Sequence, residues 1–444
     1  MQYKDLGEFF QARLENCFFD YVPGTTNPDI LIVAFEGAGG AYHRPDQLRT
    51  PFGAKYYIEN GYALLGVKPI NVSWYRTDDV LEFFTFLKQI RFFDSFRKVV
   101  FAGGSMGGYA SLAFSSLVPG SVVIALQPQS TMDPSIVPWE RRFPVSRDQD
   151  WSGPFADGAV ECRTASQVIV VYDPYDDGDA RHAHRVGGDN VIHVPIRFVG
   201  HNVGGALKFS GTLKDFMKRS IENGMDKAFA REVSVRCRNS PLYYEGLINR
   251  CLKKKKLALG VKIVRSCPLA MEENPRLWMA AAALLEEAGL HDELMPQWKA
   301  VCGRFQRSAA LWIKFAEYQR RLGRERMFLS ILERKKDVVI GPAMRDYIQK
   351  NNIKLPSAAV PKVTHQMPAM AEAPLAENTA AQTATQPERM ELRLTPAPET
   401  IARVDASRKR NRTYRAKLSA VLSRVLPLLI AAIDDSLFIA YIPA

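Results

Sequence analysis

The stretch Val99-Val100-Phe101-Ala102-Gly103-Gly104-Ser105-Met106-Gly107-Gly108-Tyr109 decides the fold. A β-branched and aromatic run stops at Gly103, and a helical pattern starts directly after Ser105. A serine between a strand and a helix occupies a tight, strained turn, and flanking glycines remove the side chains that would clash there. Such a turn lifts the hydroxyl to the top of a sheet and sets the next backbone N–H beside it.

Outward from this turn, the first half of the chain alternates. Strand-like runs fall at 30–35, 63–67, 98–102, 121–126, 167–172 and 191–198. Helical patterns fall between them at 78–93, with Asp78 and Asp79 placed to cap it, at 109–117 and at 207–221. Alternating β and α with apolar strands predicts an α/β domain over about 1–225, its sheet mostly parallel and covered on both faces. Residues 128–163 break the rhythm. They are rich in Pro, Asp and aromatics, among them Trp139, Phe143, Trp151 and Phe155. That composition predicts a lid-like insert over a site rather than a disordered loop.

From Ser240 the pattern is helical throughout, and it repeats. Ser240-Pro241-Leu242-Tyr243-Tyr244, Asn274-Pro275-Arg276-Leu277-Trp278 and Ser308-Ala309-Ala310-Leu311-Trp312 lie 34 residues apart, as do Gly289 and Gly323. Each unit opens on a capping Ser or Asn, and two continue with Pro at the first helical position. The first unit departs from the pattern with Lys255 where the others carry Gly. The period resembles tetratricopeptide-type helical hairpins over 240–350, a module that stacks into a shared core and docks partners. Residues 352–400, rich in Ala, Pro, Thr and Glu, read as a disordered linker. The segment 401–444 is basic and then apolar, a pattern suited to peripheral contact with a membrane or to docking on a partner.

Composition narrows the function classes. The chain has 444 residues, a hydrophobic fraction of 47% and a formal net charge of +12, enough for two or three domains with sizeable cores. No run of about 18 apolar residues predicts a membrane-spanning helix. The start of the chain lacks the apolar core of a signal peptide. Cys17, Cys162, Cys237, Cys251, Cys267 and Cys302 form no Cys-x-x-Cys pair, so neither metal nor cofactor is expected, and scattered thiols suit a cytoplasmic protein. The basic residues are not interleaved with aromatics as in a nucleic-acid-binding module.

Nucleophilic serine chemistry needs a base, a carboxylate to orient that base, and donors for an oxyanion. Residues 168–172 run into Asp173-Pro174-Tyr175-Asp176-Asp177-Gly178-Asp179, and residues 193–199 end in Gly200-His201-Asn202. An imidazole titrates near neutrality, which suits a base. His182 and His184 are competitors that fit a helix face or substrate contacts. Residues 30–35 end in Glu36-Gly37-Ala38-Gly39-Gly40, a glycine-rich loop whose N–H groups suit an anion. It lacks the Lys-Ser/Thr of a phosphate-binding loop and fits a dinucleotide fingerprint poorly.

On these motifs, residues from about 17 to 221 resemble an α/β-hydrolase-fold serine hydrolase domain, about half the chain. The resemblance implies Ser105 as nucleophile, Asp176 as orienting acid with Asp173 as runner-up, and His201 as base. It also implies an oxyanion hole from the N–H of Met106 and of Ala38 or Gly39. His43, Trp139 and the pair Arg141-Arg142 are candidate substrate contacts, the arginines suiting a carboxylate or phosphate. The function implied is hydrolysis of an acyl ester or thioester through an acyl-enzyme. The alternatives are acyl transfer to a glycan or lipid alcohol, and an inactive scaffold acting through its helical repeats.

Overall fold

A computed structural model describes residues 10–43, 49–270, 273–337 and 341–355. The linker expected beyond residue 355 and the segment 401–444 lie outside the described residues. The described chain forms two compact units, 10–297 and 298–355.

The first unit is built on one eight-stranded sheet: β1 (Phe10–Arg13), β2 (Cys17–Val22), β3 (Asn27–Phe35), β4 (Tyr62–Pro69), β5 (Lys98–Gly104), β6 (Val122–Leu126), β7 (Gln167–Tyr172) and β8 (Val191–Pro195). Their order across the sheet is β1-β2-β4-β3-β5-β6-β7-β8. β2 runs antiparallel to β1 and β4, and all other pairs are parallel. This is an α/β-hydrolase fold, with the Ser105 turn between the central strand β5 and the helix that follows.

The helices of this unit are α1 (Ala38–His43), α2 (Ala54–Glu59), α3 (Asp78–Gln89), α4 (Met106–Phe114), α5 (Gly158–Glu161), α6 (Asp177–Arg185), α7 (Val203–Phe209), α8 (Leu213–Glu222), α9 (Lys227–Arg236), α10 (Pro241–Lys253), α11 (Leu257–Ser266) and α12 (Pro275–Glu287). The first nine cover both faces because the strands are apolar on both. Side chains alternate with period two. Ile30, Ile32 and Ala34 of β3 pack with Val203 of α7, Phe216 of α8 and Phe229 of α9. Leu31, Val33 and Phe35 pack on the other face with Phe84 of α3 and Phe114 of α4.

Three expectations change in detail. The two leading strands were not expected. β1 is a four-residue edge strand, and β2 carries Asp20, whose carboxylate is buried against the ammonium of Lys68. The helix expected over 207–221 is two helices, because Gly211 takes a left-handed φ of 71° and its N–H bonds back to Lys208. Thr77, not an aspartate, precedes α3, and Asp79 instead accepts hydrogen bonds from Asn16.

The helical part keeps its 34-residue period at the level of backbone geometry. Gly289 and Gly323 take φ of 75° and 73° after α12 and α14 (Ala309–Arg321). Lys255, without glycine's freedom, takes 53° after α10. At all three positions the N–H of the left-handed residue and the next N–H bond back to the helix end, the Schellman pattern that closes a helix. In the first unit, α10, α11 and α12 share a core of Ile248, Cys251, Leu277, Ala281 and Leu284. α13 (His291–Arg304) follows in the chain, and the second unit then holds α14, α15 (Glu325–Lys335) and α16 (Gly341–Lys350). There Trp298 stacks on Phe315 and Tyr318. Among the described residues, no helix is long and apolar enough to cross a membrane.

Candidate active site

Ser105 sits at φ 56°, ψ −120°, a conformation that costs a non-glycine residue energy and recurs at functional turns. The strain holds because the strand end and α4 meet backbone to backbone. A β-carbon at Gly107 would strike the carbonyl oxygens of Phe35 and Glu36, and one at Gly103 the carbonyl of Gly107. The Ser105 N–H is bonded to Leu126 O at 2.8 Å, which fixes the turn against β6.

His201 follows β8, as expected. Its loop is clamped by Asp173, whose carboxylate accepts the N–H groups of Val199 and Gly200, each at 2.7 Å, and that of Tyr175 at 2.9 Å. This places His201 Nε2 2.8 Å from Ser105 Oγ. On the other side of the ring, Nδ1 lies 2.7 and 2.9 Å from the two carboxylate oxygens of Asp179. A carboxylate only accepts, so Nδ1 carries the proton and Nε2 offers its lone pair to the serine hydroxyl.

The carboxylate on His201 is therefore Asp179 and not Asp176. Asp176 caps α6: its side chain accepts the Asp179 N–H at 3.0 Å and also pairs with Arg142 at 3.1 Å. A capping carboxylate is tied to its own helix. One turn further, Asp179 points inward, with a side-chain exposure of 0%. Sequence position past the strand could not separate the two, because the helix starts between them.

Of the two arginines, Arg142 changes role. Arg142 contacts Glu140, Asp176 and Asp179, the last at 2.8 Å. Burial works against its charge, but hydrogen bonds to Glu140 and Asp179 outweigh burial and hold its pKa above the ordinary value. It braces the site rather than facing a ligand. Arg141 is exposed and has no ion-pair partner among the described residues. Trp139 lies against the His182 ring at 4.6 Å, with the Arg181 guanidinium over its face at 4.1 Å. His43 ends α1, and its side chain lies outside the described residues.

Neither competing histidine reaches Ser105. His184 contacts the Tyr172 hydroxyl. His182 is buried, accepts the Ser130 N–H on Nδ1 at 3.1 Å and meets Glu140 at 3.1 Å through Nε2. Burial lowers its pKa, with partial opposition from Glu140. The neutral tautomer fits both contacts, since a protonated Nδ1 would confront the Ser130 donor. For Glu140 burial alone would raise the pKa, but hydrogen bonds from His182 and Arg142 bring it down to about 2.

Glycine-rich residues 37–39 lie beside the serine. A β-carbon on Gly37 would come 3.2 Å from Gly104 O and 4.0 Å from Ser105 Cβ. Ala38 opens α1 and Met106 opens α4, so their N–H groups have no acceptor within their own helices. The loop is held from behind: Arg49 pairs with Glu36 at 2.8 Å, and the Tyr75 hydroxyl donates to Glu36 O at 2.7 Å. Among the described residues no cluster of His, Cys, Asp and Glu is arranged to hold a metal ion.

The insert is anchored to the domain. Arg76 donates to the carbonyls of Asp150, Ser152 and Pro154, and Trp151 and Phe155 are buried beneath it. The residue that sequence reading missed altogether is Gln129. Its Nε2 lies 3.4 Å from Ser105 Oγ, and its only signal was a polar residue shortly after a strand end.

No protein-family model matches the chain, and no curated protein matches it in sequence. Among solved structures, it is similar to the capsule O-acetyltransferase of Neisseria meningitidis serogroup A at 13% identity, over 48% of this chain and 94% of that one, with a TM-score of 0.33. It is similar to Est1E from Butyrivibrio proteoclasticus at 14% identity, over 48% of this chain and 98% of that one, TM-score 0.33. A fluorophosphonate-binding serine hydrolase, FphF of Staphylococcus aureus, matches at 13% identity over 52% of this chain and 97% of that one, TM-score 0.29. Likeness of this degree carries no inference about activity.

Proposed function

We propose that the first unit is a serine-dependent acyl-transfer enzyme that hydrolyses an acyl ester or thioester through an acyl-enzyme on Ser105. One observation carries this reading: His201 Nε2 stands 2.8 Å from Ser105 Oγ while the buried Asp179 holds Nδ1 at 2.7 Å. Oγ attacks the substrate carbonyl as its proton passes to Nε2. Negative charge on the carbonyl oxygen is met by the N–H of Met106 and of Ala38 or Gly39. The intermediate collapses, and His201 returns the proton to the leaving alcohol or thiol. Water then attacks the acyl carbon, with His201 again taking a proton, and Oγ leaves with it. Asp179 keeps the ring in the productive tautomer throughout.

An alcohol attacking the same acyl-enzyme gives transfer instead of hydrolysis, so a glycan or lipid acceptor falls within the same chemistry. The hydrogen-bonded Ser105, His201 and Asp179 weigh against an inactive scaffold. The helical hairpins, tetratricopeptide-like in period, serve in this reading as a docking module for a protein partner, and the unpaired cysteines suit a cytoplasmic setting.

A fluorophosphonate probe tests the central claim. Wild-type protein is labelled and Ser105→Ala is not. Equal labelling of both, or of neither, overturns it.

A further inference from the structure

We infer that Gln129 is a second polar group acting on the Ser105 oxygen, and that Trp74 is the positioning residue that aims it. This rests on the reading of Ser105 as nucleophile. Gln129 is completely buried, so its amide has no water to turn to. The Trp74 indole N–H, 3.3 Å away, can only donate and therefore takes the Gln129 oxygen. The amide nitrogen is left facing Ser105 Oγ at 3.4 Å. The serine oxygen thus gives its proton towards His201 and receives one from Gln129, which fixes its lone pairs as well as its hydrogen.

Backbone strain points the same way. Trp74 and Tyr75 take φ of 49° and 56°, two successive aromatic residues in the left-handed region. Filling a core requires no such conformation. This turn delivers two polar contacts at the site instead: the Trp74 indole to Gln129, and the Tyr75 hydroxyl to Glu36 O beside the glycine-rich loop. Strain of this kind persists where the surroundings over-determine it, commonly at active sites.

The chemistry follows from charge. When Oγ loses its proton to His201, and again when it departs from the acyl carbon, negative charge develops on it. The Gln129 N–H···Oγ bond then strengthens relative to the resting state, and only such differential binding raises kcat. At 3.4 Å it is long in the resting enzyme, and catalytic hydrogen bonds commonly tighten in the transition state. No bond to Gln129 forms or breaks, and its proton stays on nitrogen.

Gln129→Glu keeps shape and the acceptor for Trp74 but replaces the donor by an oxygen. Gln129→Met removes both polar ends. The expected result is a ~10–100-fold loss in kcat for p-nitrophenyl acetate, with KM within about threefold, and a parallel loss in the fluorophosphonate labelling rate. Trp74→Phe, which frees the amide to turn over, is expected to lose about three- to tenfold in kcat. In the Gln129→Met background it adds nothing further, which a purely structural tryptophan would not obey. If Gln129→Glu fails to fold, Gln129→Met decides, and the melting temperature identifies that case. Folded Gln129 variants with wild-type kcat, or additive losses in the double variant, overturn the inference while labelling of wild type but not Ser105→Ala leaves the enzyme reading intact. Absence of wild-type labelling removes both.

Discussion

Replacing Asp179 and Asp176 one at a time by asparagine separates two carboxylates only three residues apart. One Asp179 oxygen accepts both from His201 Nδ1 at 2.9 Å and from Arg142 Nη1 at 2.8 Å, and the other accepts from His201 at 2.7 Å. In Asp179→Asn the single remaining carbonyl oxygen is drawn to the cationic Arg142. The new NH2 then faces His201, whose Nδ1 must accept instead of donate. The ring proton moves to Nε2, the nitrogen that should receive the serine proton. The corresponding change in serine proteases costs ~10⁴ in kcat, or about 5.4 kcal/mol of barrier at 1.36 kcal/mol per tenfold. Asp176→Asn has no such effect. Asparagine caps a helix about as well as aspartate, and the partly exposed pair with Arg142 is worth ~0–1 kcal/mol. Turnover of p-nitrophenyl acetate, with circular dichroism confirming both folds, should therefore show Asp176→Asn within about threefold of wild type. Asp179→Asn should fall at least ~10³-fold. Comparable losses in the two variants, or the larger loss in Asp176→Asn, would refute the assignment.

The remaining predictions concern stability. Lys255→Gly should raise the melting temperature by relieving a left-handed backbone at φ 53°, worth ~1 kcal/mol less a small loss from the exposed pair with Glu287. Lys255→Ala, which keeps the strain, should not, and equal behaviour of the two would contradict the reading. Acidification should destabilise the fold through two depressed groups. His182 contributes fully above its ordinary 6.5 and loses its contribution as pH falls below it, because the unfolded chain takes up a proton that the buried ring resists. Glu140 contributes above 4.5 and fades as pH falls towards about 2. The raised carboxyls of Asp20, Glu36 and Asp173, pushed up by burial, act in the opposite sense, so His182→Gln should lose less melting temperature than wild type between pH 6.5 and 4.5, and equal losses would contradict this. Gly246→Ala should destabilise by ~1–3 kcal/mol, because its new methyl overlaps the carbonyl oxygen of Phe198. Phe198 lies three residues before His201, so kcat should fall as well, and unchanged melting and rate would show that α10 yields freely.

Which parts were legible follows from where the signal was local. The strand–Ser105–helix turn is visible because its glycines, β-branched run and helical pattern are contiguous. His201 is visible because it follows shortly after the final strand run, although β8 itself stops at Pro195. The choice of Asp179 over Asp176 was hidden in a cap: whichever aspartate is spent on starting α6 cannot also reach His201, and the start of a short helix is weakly specified. Arg142 looked like a ligand anchor because adjacent arginines in an insert carry no mark of their partners, and two of its three anions, Asp176 and Asp179, lie more than thirty residues on. β1 and β2 escaped because one is a short edge and the other interrupts its apolar run with Asp20, satisfied by Gln11 of β1 and by Lys68, which comes 48 residues later in the chain. The period was legible, and Lys255, where the other two units carry Gly, adopts the glycine geometry regardless.

Anchorage of the insert has a bearing on molecular traffic. Three carbonyls are tied to Arg76, and the acids of α6 are tied to Arg142, so swinging this segment aside would strip a guanidinium from the very carboxylate that steadies His201. An outward hinge would thus switch off the chemistry it was meant to expose.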